Sequence, residues 1–174
     1  MFLSYAGGFA ETVTELADYE KAGDVWGAAV AEGSARRDAA LGSLDVIAAA
    51  ALAIGDDSDT VRLRDLGRPQ LALYIGGMGA RGRNFYNDLA RRFGYEAEAK
   101  AIQDAYLDGR KAEAEALVPA DLLERTSLIG PQSYVAERVA AYREAGVTTL
   151  NVTPLAPTHE ARVRLIEQVR AMTD

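Results

Sequence analysis

The chain contains no cysteine and a single histidine, His159, in 174 residues. Without thiols there is no disulfide, no thiolate nucleophile, no iron–sulfur cluster and no cysteine-ligated zinc. A cysteine-free chain suits a reducing cytoplasm. A histidine-centred triad or a multi-histidine metal site would rest on His159 alone, and neither a serine elbow nor a carboxylate cluster stands near it in sequence. No window approaches the roughly 20 uninterrupted apolar residues of a membrane span. The start, Met1-Phe2-Leu3-Ser4-Tyr5, lacks the basic region and apolar core of a signal peptide. Cations are in the minority, with 19 Lys+Arg against 26 Asp+Glu and a net charge of −7. That balance repels phosphate backbones and anionic lipid, so neither nucleic acid nor a membrane is an expected partner.

What remains is a chain that is 49% hydrophobic and 26% charged, a composition able to bury a core. Its length is that of one domain, and residues 1–174 read as a single domain. Phe9, Val13, Leu16 and Ala17 fall at helical spacing and Gly23 supplies a stop, giving a helix over 9–23 after a short strand stub at 2–5. Asp24 caps a second helix reaching about residue 37. The apolar run 44–54 reads as a buried strand, although its alanines have little β-preference. A short helix over 58–66 follows, and Arg68-Pro69 places proline in the first turn of another, reaching Gly79. A helix over 84–93 ends at Gly94. An Ala/Glu helix from Glu96 is interrupted near Asp108-Gly109 and resumes at Lys111, its charges forming a solvated face. The clearest unit comes last. After Gly130-Pro131, Val135, Val139 and Tyr142 line a helix, Gly146 stops it, and 147–152 is a β-rich run. Thr158 then caps a final helix with Leu165, Ile166, Val169 and Met172 on its apolar face. The expected fold class is α/β and mainly helical, with about three strands.

The run Leu73-Tyr74-Ile75-Gly76-Gly77-Met78-Gly79-Ala80-Arg81-Gly82-Arg83-Asn84-Phe85-Tyr86-Asn87-Asp88-Leu89, with Gly94-Tyr95-Glu96 and Glu144-Ala145-Gly146-Val147-Thr148-Thr149-Leu150-Asn151-Val152-Thr153-Pro154, resembles the C-terminal part of luciferase-like, F420-dependent oxidoreductases and monooxygenases. The resemblance implies a β/α barrel that binds coenzyme F420, or FMN in some relatives, at the C-terminal ends of its strands. It also implies hydride transfer to or from a small organic substrate. It covers residues 21–172, and separately 5–23, which resembles the first strand–helix unit. A complete barrel takes about 250 residues and eight strands, so an incomplete, TIM-barrel-like fragment is expected. Lys21-Ala22-Gly23 reads as the seam of an internal deletion. No position matches the family's proton-transfer residues, so no catalytic residue is assigned and the chain is expected to be inactive, with cofactor affinity weak or lost.

For cofactor binding the sequence singles out Gly77, Gly79, Arg81 and Arg83. Glycines admit a phosphate close to backbone N–H groups while the arginines neutralise it. The competing reading is that the glycines allow close helix packing and the arginines cover an acidic neighbour. The spacing matches neither a Rossmann nor a P-loop fingerprint. Asn151 and Thr153 sit at the ligand face of the last strand or satisfy loop backbone there. Trp26 and Tyr74 read as core aromatics, and His159 as a solvated first-turn residue. Unfilled strand edges and apolar faces predict either a homo-oligomer or a non-catalytic remnant acting through self-association.

Overall fold

The computed structural model describes residues 28, 31–36, 38, 40, 45–55 and 57–173. The strand stub at 2–5, the helix at 9–23, the seam at 21–23 and Trp26 lie outside these residues. Of the helix expected from Asp24 to about residue 37, residues 31–35 are described and helical.

From there the order is β1 (Ile47–Ile54), α1 (Asp57–Asp65), α2 (Arg68–Ala72), a π-helical turn (Leu73–Gly77), α3 (Phe85–Arg92), α4 (Glu96–Leu107), α5 (Lys111–Ala116), α6 (Ala120–Arg125), β2 (Leu128–Gly130), α7 (Gln132–Glu144), β3 (Thr149–Pro154) and α8 (His159–Thr173). The protein is a mainly helical α/β fold, as its sequence pattern predicts, and its three-stranded parallel sheet joins two of the expected strands, β1 and β3, to β2, which the pattern does not mark. Its contacts divide it into two compact units. One comprises the described residues up to Thr60 together with those from Arg125 on, and the other is Val61–Glu124.

The first unit holds the sheet. β1 is central and pairs in parallel with β2 at Leu52–Leu128 through Ile54–Gly130, and with β3 at Ile47–Thr149 through Leu52–Pro154. The resulting order, β2-β1-β3, places consecutive strands on opposite sides of β1, whereas a β/α barrel pairs each strand with the next. Ala48, Ala50 and Leu52 of β1 and Leu128 of β2 share a core with Val135, Val139 and Tyr142 of α7 and Leu165 and Val169 of α8. Ala49 and Ala53, on the opposite side of β1, are also buried. A central strand buried on both faces has no need of alternation, so burial overrides the weak β-preference of alanine. β2 escapes the periodicity because three residues are too few to show any.

Helix ends follow their punctuation. Gly146 adopts φ +85°, Val147 N–H donates to Tyr142 O at 3.0 Å and Gly146 N–H to Arg143 O at 3.0 Å. This is a Schellman closure, which requires a left-handed residue that glycine supplies without strain. The same pair of bonds closes α3 and α4. Thr158 Oγ1 accepts from Ala161 N–H at 3.2 Å at the start of α8.

The second unit is all helix. Ala72, Ile75, Ala90, Ala99, Ile102, Ala105, Ala114, Val118, Leu122 and Leu123 form its core. The small alanines let the helices approach closely. The helix expected to run unbroken to Gly79 changes at Leu73 from α to π winding, where two poor helix formers, Gly76 and Gly77, face Tyr106. α6 carries no distinctive sequence pattern and is a further element beyond those expected.

Candidate functional site

Three of the singled-out residues, Gly79, Arg81 and Arg83, lie in the turn between the π-helical segment and α3, and Gly77 closes the π-helical segment before it. The structure therefore brings the four into one short stretch of the second unit. Asn151 and Thr153 lie on β3 in the first unit, both exposed.

Asn84 is the hub of the stretch. Its Oδ1 accepts from Tyr86 N–H at 3.0 Å and Asn87 N–H at 3.3 Å, capping α3. Its Nδ2 donates to Tyr74 O at 3.0 Å and Ile75 O at 2.9 Å. Those carbonyls belong to the end of the preceding helix, where intrahelical donors run out. One side chain, 1% exposed, thus serves the end of one helix and the start of the next. Asn87 Nδ2 adds bonds to Ile75 O at 3.1 Å and to Ala99 O at 2.7 Å on α4. Gln103 Nε2, also on α4, reaches Gly79 O at 3.4 Å. The Tyr74 and Tyr86 rings meet edge-to-face at 4.7 Å, which gives Tyr74 the packing role expected of it.

Gly76, Gly77 and Gly79 each have a close neighbour on the side where another residue would carry Cβ, whereas Gly82, at φ +73°, has none within 4 Å. At Gly76 that atom would lie 2.6 Å from Tyr106 Cβ, at Gly77 2.4 Å from Tyr106 Cε1, and at Gly79 2.3 Å from Arg83 O. The turn from Ala80 to Arg83 closes with a 2.9 Å bond from Arg83 N–H to Ala80 O.

The two arginines differ in surroundings. Arg81 Nε donates to Asp104 Oδ1 at 2.7 Å and its NH2 group reaches Asp108 Oδ1 at 3.5 Å. Lys100 Nζ takes the other Asp104 oxygen at 2.6 Å. Hydrogen bonds from Lys100 and then Arg81 hold the Asp104 carboxyl down at about 2, and the bond to Asp104 raises the guanidinium pKa of Arg81 above its ordinary value. Arg83 is exposed and makes no ion pair among the described residues.

Sequence reasoning passed over Asn87, Gln103 and the acidic pair Asp104 and Asp108. Asn84, directly before the periodic run of α3, carries a cap signal. The others act across helices, where spacing along the chain is silent. Among the described residues no group of acidic or histidine side chains is arranged to hold a metal ion, and no helix is long and apolar enough to cross a membrane. His159 is exposed in the first turn of α8.

The sequence model of the luciferase-like monooxygenases matches residues 10–149, most of the chain and all of the stretch around Asn84. The chain belongs to the luciferase-like monooxygenase family. It is also similar to the Mycobacterium tuberculosis protein named "Putative coenzyme F420-dependent oxidoreductase Rv3520c", at 38% identity over 86 residues. That alignment takes in 49% of this chain and 25% of the relative, so it spans a quarter of the relative's length.

Proposed function

We propose that this luciferase-like chain derives from a cytoplasmic coenzyme F420-dependent oxidoreductase, holds the anionic end of the cofactor weakly, and does not by itself turn over a substrate. The observation that carries the reading is Arg83, an exposed cation without an ion pair among the described residues, in the glycine-bounded turn inside the family match. When bound, F420 or the related FMN supplies a hydride-accepting ring. The fit is uneven. Arg83 is available to a phosphate, Arg81 is already engaged by Asp104 and Asp108, and the Cβ sides of Gly77 and Gly79 are filled by Tyr106 and by Arg83 O.

Weak binding follows from the small number of contacts. One charge-assisted hydrogen bond contributes about 1.5–3 kcal/mol, well short of the cost of association. Absence of turnover follows from geometry. Hydride transfer needs donor and acceptor carbons held in a water-excluded pocket, and a misplacement of about 1 Å costs on the order of a hundredfold in rate. The described sheet has three strands, where a barrel of this kind builds its pocket from eight.

The test is a fluorescence titration with F420, and separately with FMN, alongside a turnover assay on the purified chain. Weak F420 binding that Arg83→Ala removes, with no turnover, is the expected result. Absence of any binding refutes the cofactor reading, and turnover lost in Arg83→Ala refutes the inactive one.

A further inference from the structure

β3 is a terminal strand. It pairs with β1 on one side, and among the described residues no strand lies on the other. Thr149 N–H donates to Val46 O at 3.1 Å and Leu155 N–H to Leu52 O at 2.8 Å, both toward β1. Alternate residues of a strand turn their backbone groups to opposite edges, so Asn151 and Thr153 also face β1 while Leu150 and Val152 point outward. Pro154 has no N–H to offer. Thr149, Asn151 and Thr153 place their side chains on the exposed face of the strand.

Edge strands are ordinarily protected by charge. Residues 146–158 contain no Asp, Glu, Lys or Arg, in a chain whose net charge of −7 repels a like copy elsewhere. The uncharged edge is thus where a second copy meets least repulsion.

We propose that the outer edge of β3 is a self-association surface, which pairs antiparallel with β3 of a second copy about a twofold axis at Asn151. In that register Leu150 of each copy lies opposite Val152 of the other, and every outward N–H finds a carbonyl. Thr149 lies opposite Thr153, a pair that hydrogen-bonds across strands. Pro154, unable to donate, stays outside the ladder. Asn151 faces its own symmetry mate in a non-hydrogen-bonded pair, where Cα atoms are about 4.5 Å apart. The proposal is independent of the cofactor reading and extends to a surface in the other unit.

Size-exclusion chromatography with light scattering on the full chain, over a concentration series, tests it. The expected result is a species of twice the 18.6 kDa chain mass at the upper end of the series. Asn151→Lys and Asn151→Asp should each weaken the dimer by at least about tenfold, because each places like charges face to face. An equal mixture of the two should restore it, with unchanged far-UV circular dichroism throughout. A chain that stays at 18.6 kDa throughout overturns the proposal, including the case in which another segment of the same chain covers the edge. A dimer that Asn151→Lys leaves unaffected locates the interface elsewhere and overturns it equally. Variants that weaken association without rescuing one another overturn the twofold register.

Discussion

Replacing Asn84 by alanine removes four hydrogen bonds made by one buried side chain. Loss of the cap on α3 costs about 1 kcal/mol, in line with Asn-to-Ala replacements at helix starts. On the other side Ile75 O keeps the bond from Asn87, so Tyr74 O is the carbonyl that loses its amide donor. A carbonyl deprived of its partner away from water costs about 1–3 kcal/mol. The sum is about 2–4 kcal/mol of lost stability. Urea titration followed by far-UV circular dichroism reads it, as a lower midpoint at an unchanged slope. Asn84→Ser separates the two halves. Its hydroxyl keeps an acceptor for the α3 amides but no longer spans to Tyr74 and Ile75, so it should recover about 1 kcal/mol. If Asn84→Ala costs less than about 0.5 kcal/mol, the level of an ordinary surface change, the side chain is not the link between the two helices. If Asn84→Ser is as damaging as Asn84→Ala, the cap contributes nothing.

Gly76→Ala should cost about 1–3 kcal/mol, since its new Cβ meets Tyr106 Cβ and lies 3.1 Å from Ile102 O, groups that move only with α4. Gly77→Ala meets the Tyr106 ring instead, so Tyr106→Ala should rescue it and leave Gly76→Ala unrescued, a difference a double-mutant cycle in urea would read. Gly146→Ala should cost about 1–2 kcal/mol through its positive φ alone, because no atom lies within 4 Å of the added carbon, and Asn at the same position should cost less by the same measurement. The Asp104 carboxyl, followed by NMR, should titrate near 2 and move up toward the ordinary carboxylate range in Lys100→Ala. Its depressed pKa means the stabilisation from its bonds to Lys100 and Arg81 is present above the ordinary carboxylate range and lost as pH falls through about 2.

How far the sequence discloses the structure depends on the distance over which each signal acts. Gly94, Gly109 and Gly146 mark their helix ends, because a left-handed closing residue is a local demand that glycine meets. Pro69 sits in the first turn of α2 and Thr158 caps α8 for equally local reasons. β1 is legible by its length and bounding turns even though more than half of it is alanine, since burial on both faces replaces alternation as the signal. β2 is invisible because three residues before a proline carry no period. Strand order is a property of long-range pairing, so nothing along the chain foretells that β3 pairs with β1 while β2 takes the opposite side.

The glycines between Gly76 and Gly79 show the same limit at the site itself. A glycine is required wherever something must approach the backbone closely, and the sequence does not say whether that something is a phosphate or a protein atom. The decisive quantity is what occupies the place of the missing Cβ. At Gly76 and Gly77 it is Tyr106, and at Gly79 it is the carbonyl of Arg83, so the glycines fold the turn tightly and set where its arginines emerge. Arg81 then falls against Asp104 and Asp108, while Arg83 emerges into solvent. In the proposed binding of an anionic cofactor the two kinds of residue therefore have separable signatures. Substituting a glycine lowers stability first and affinity only as a consequence, whereas substituting Arg83 lowers affinity and leaves the urea midpoint where it was.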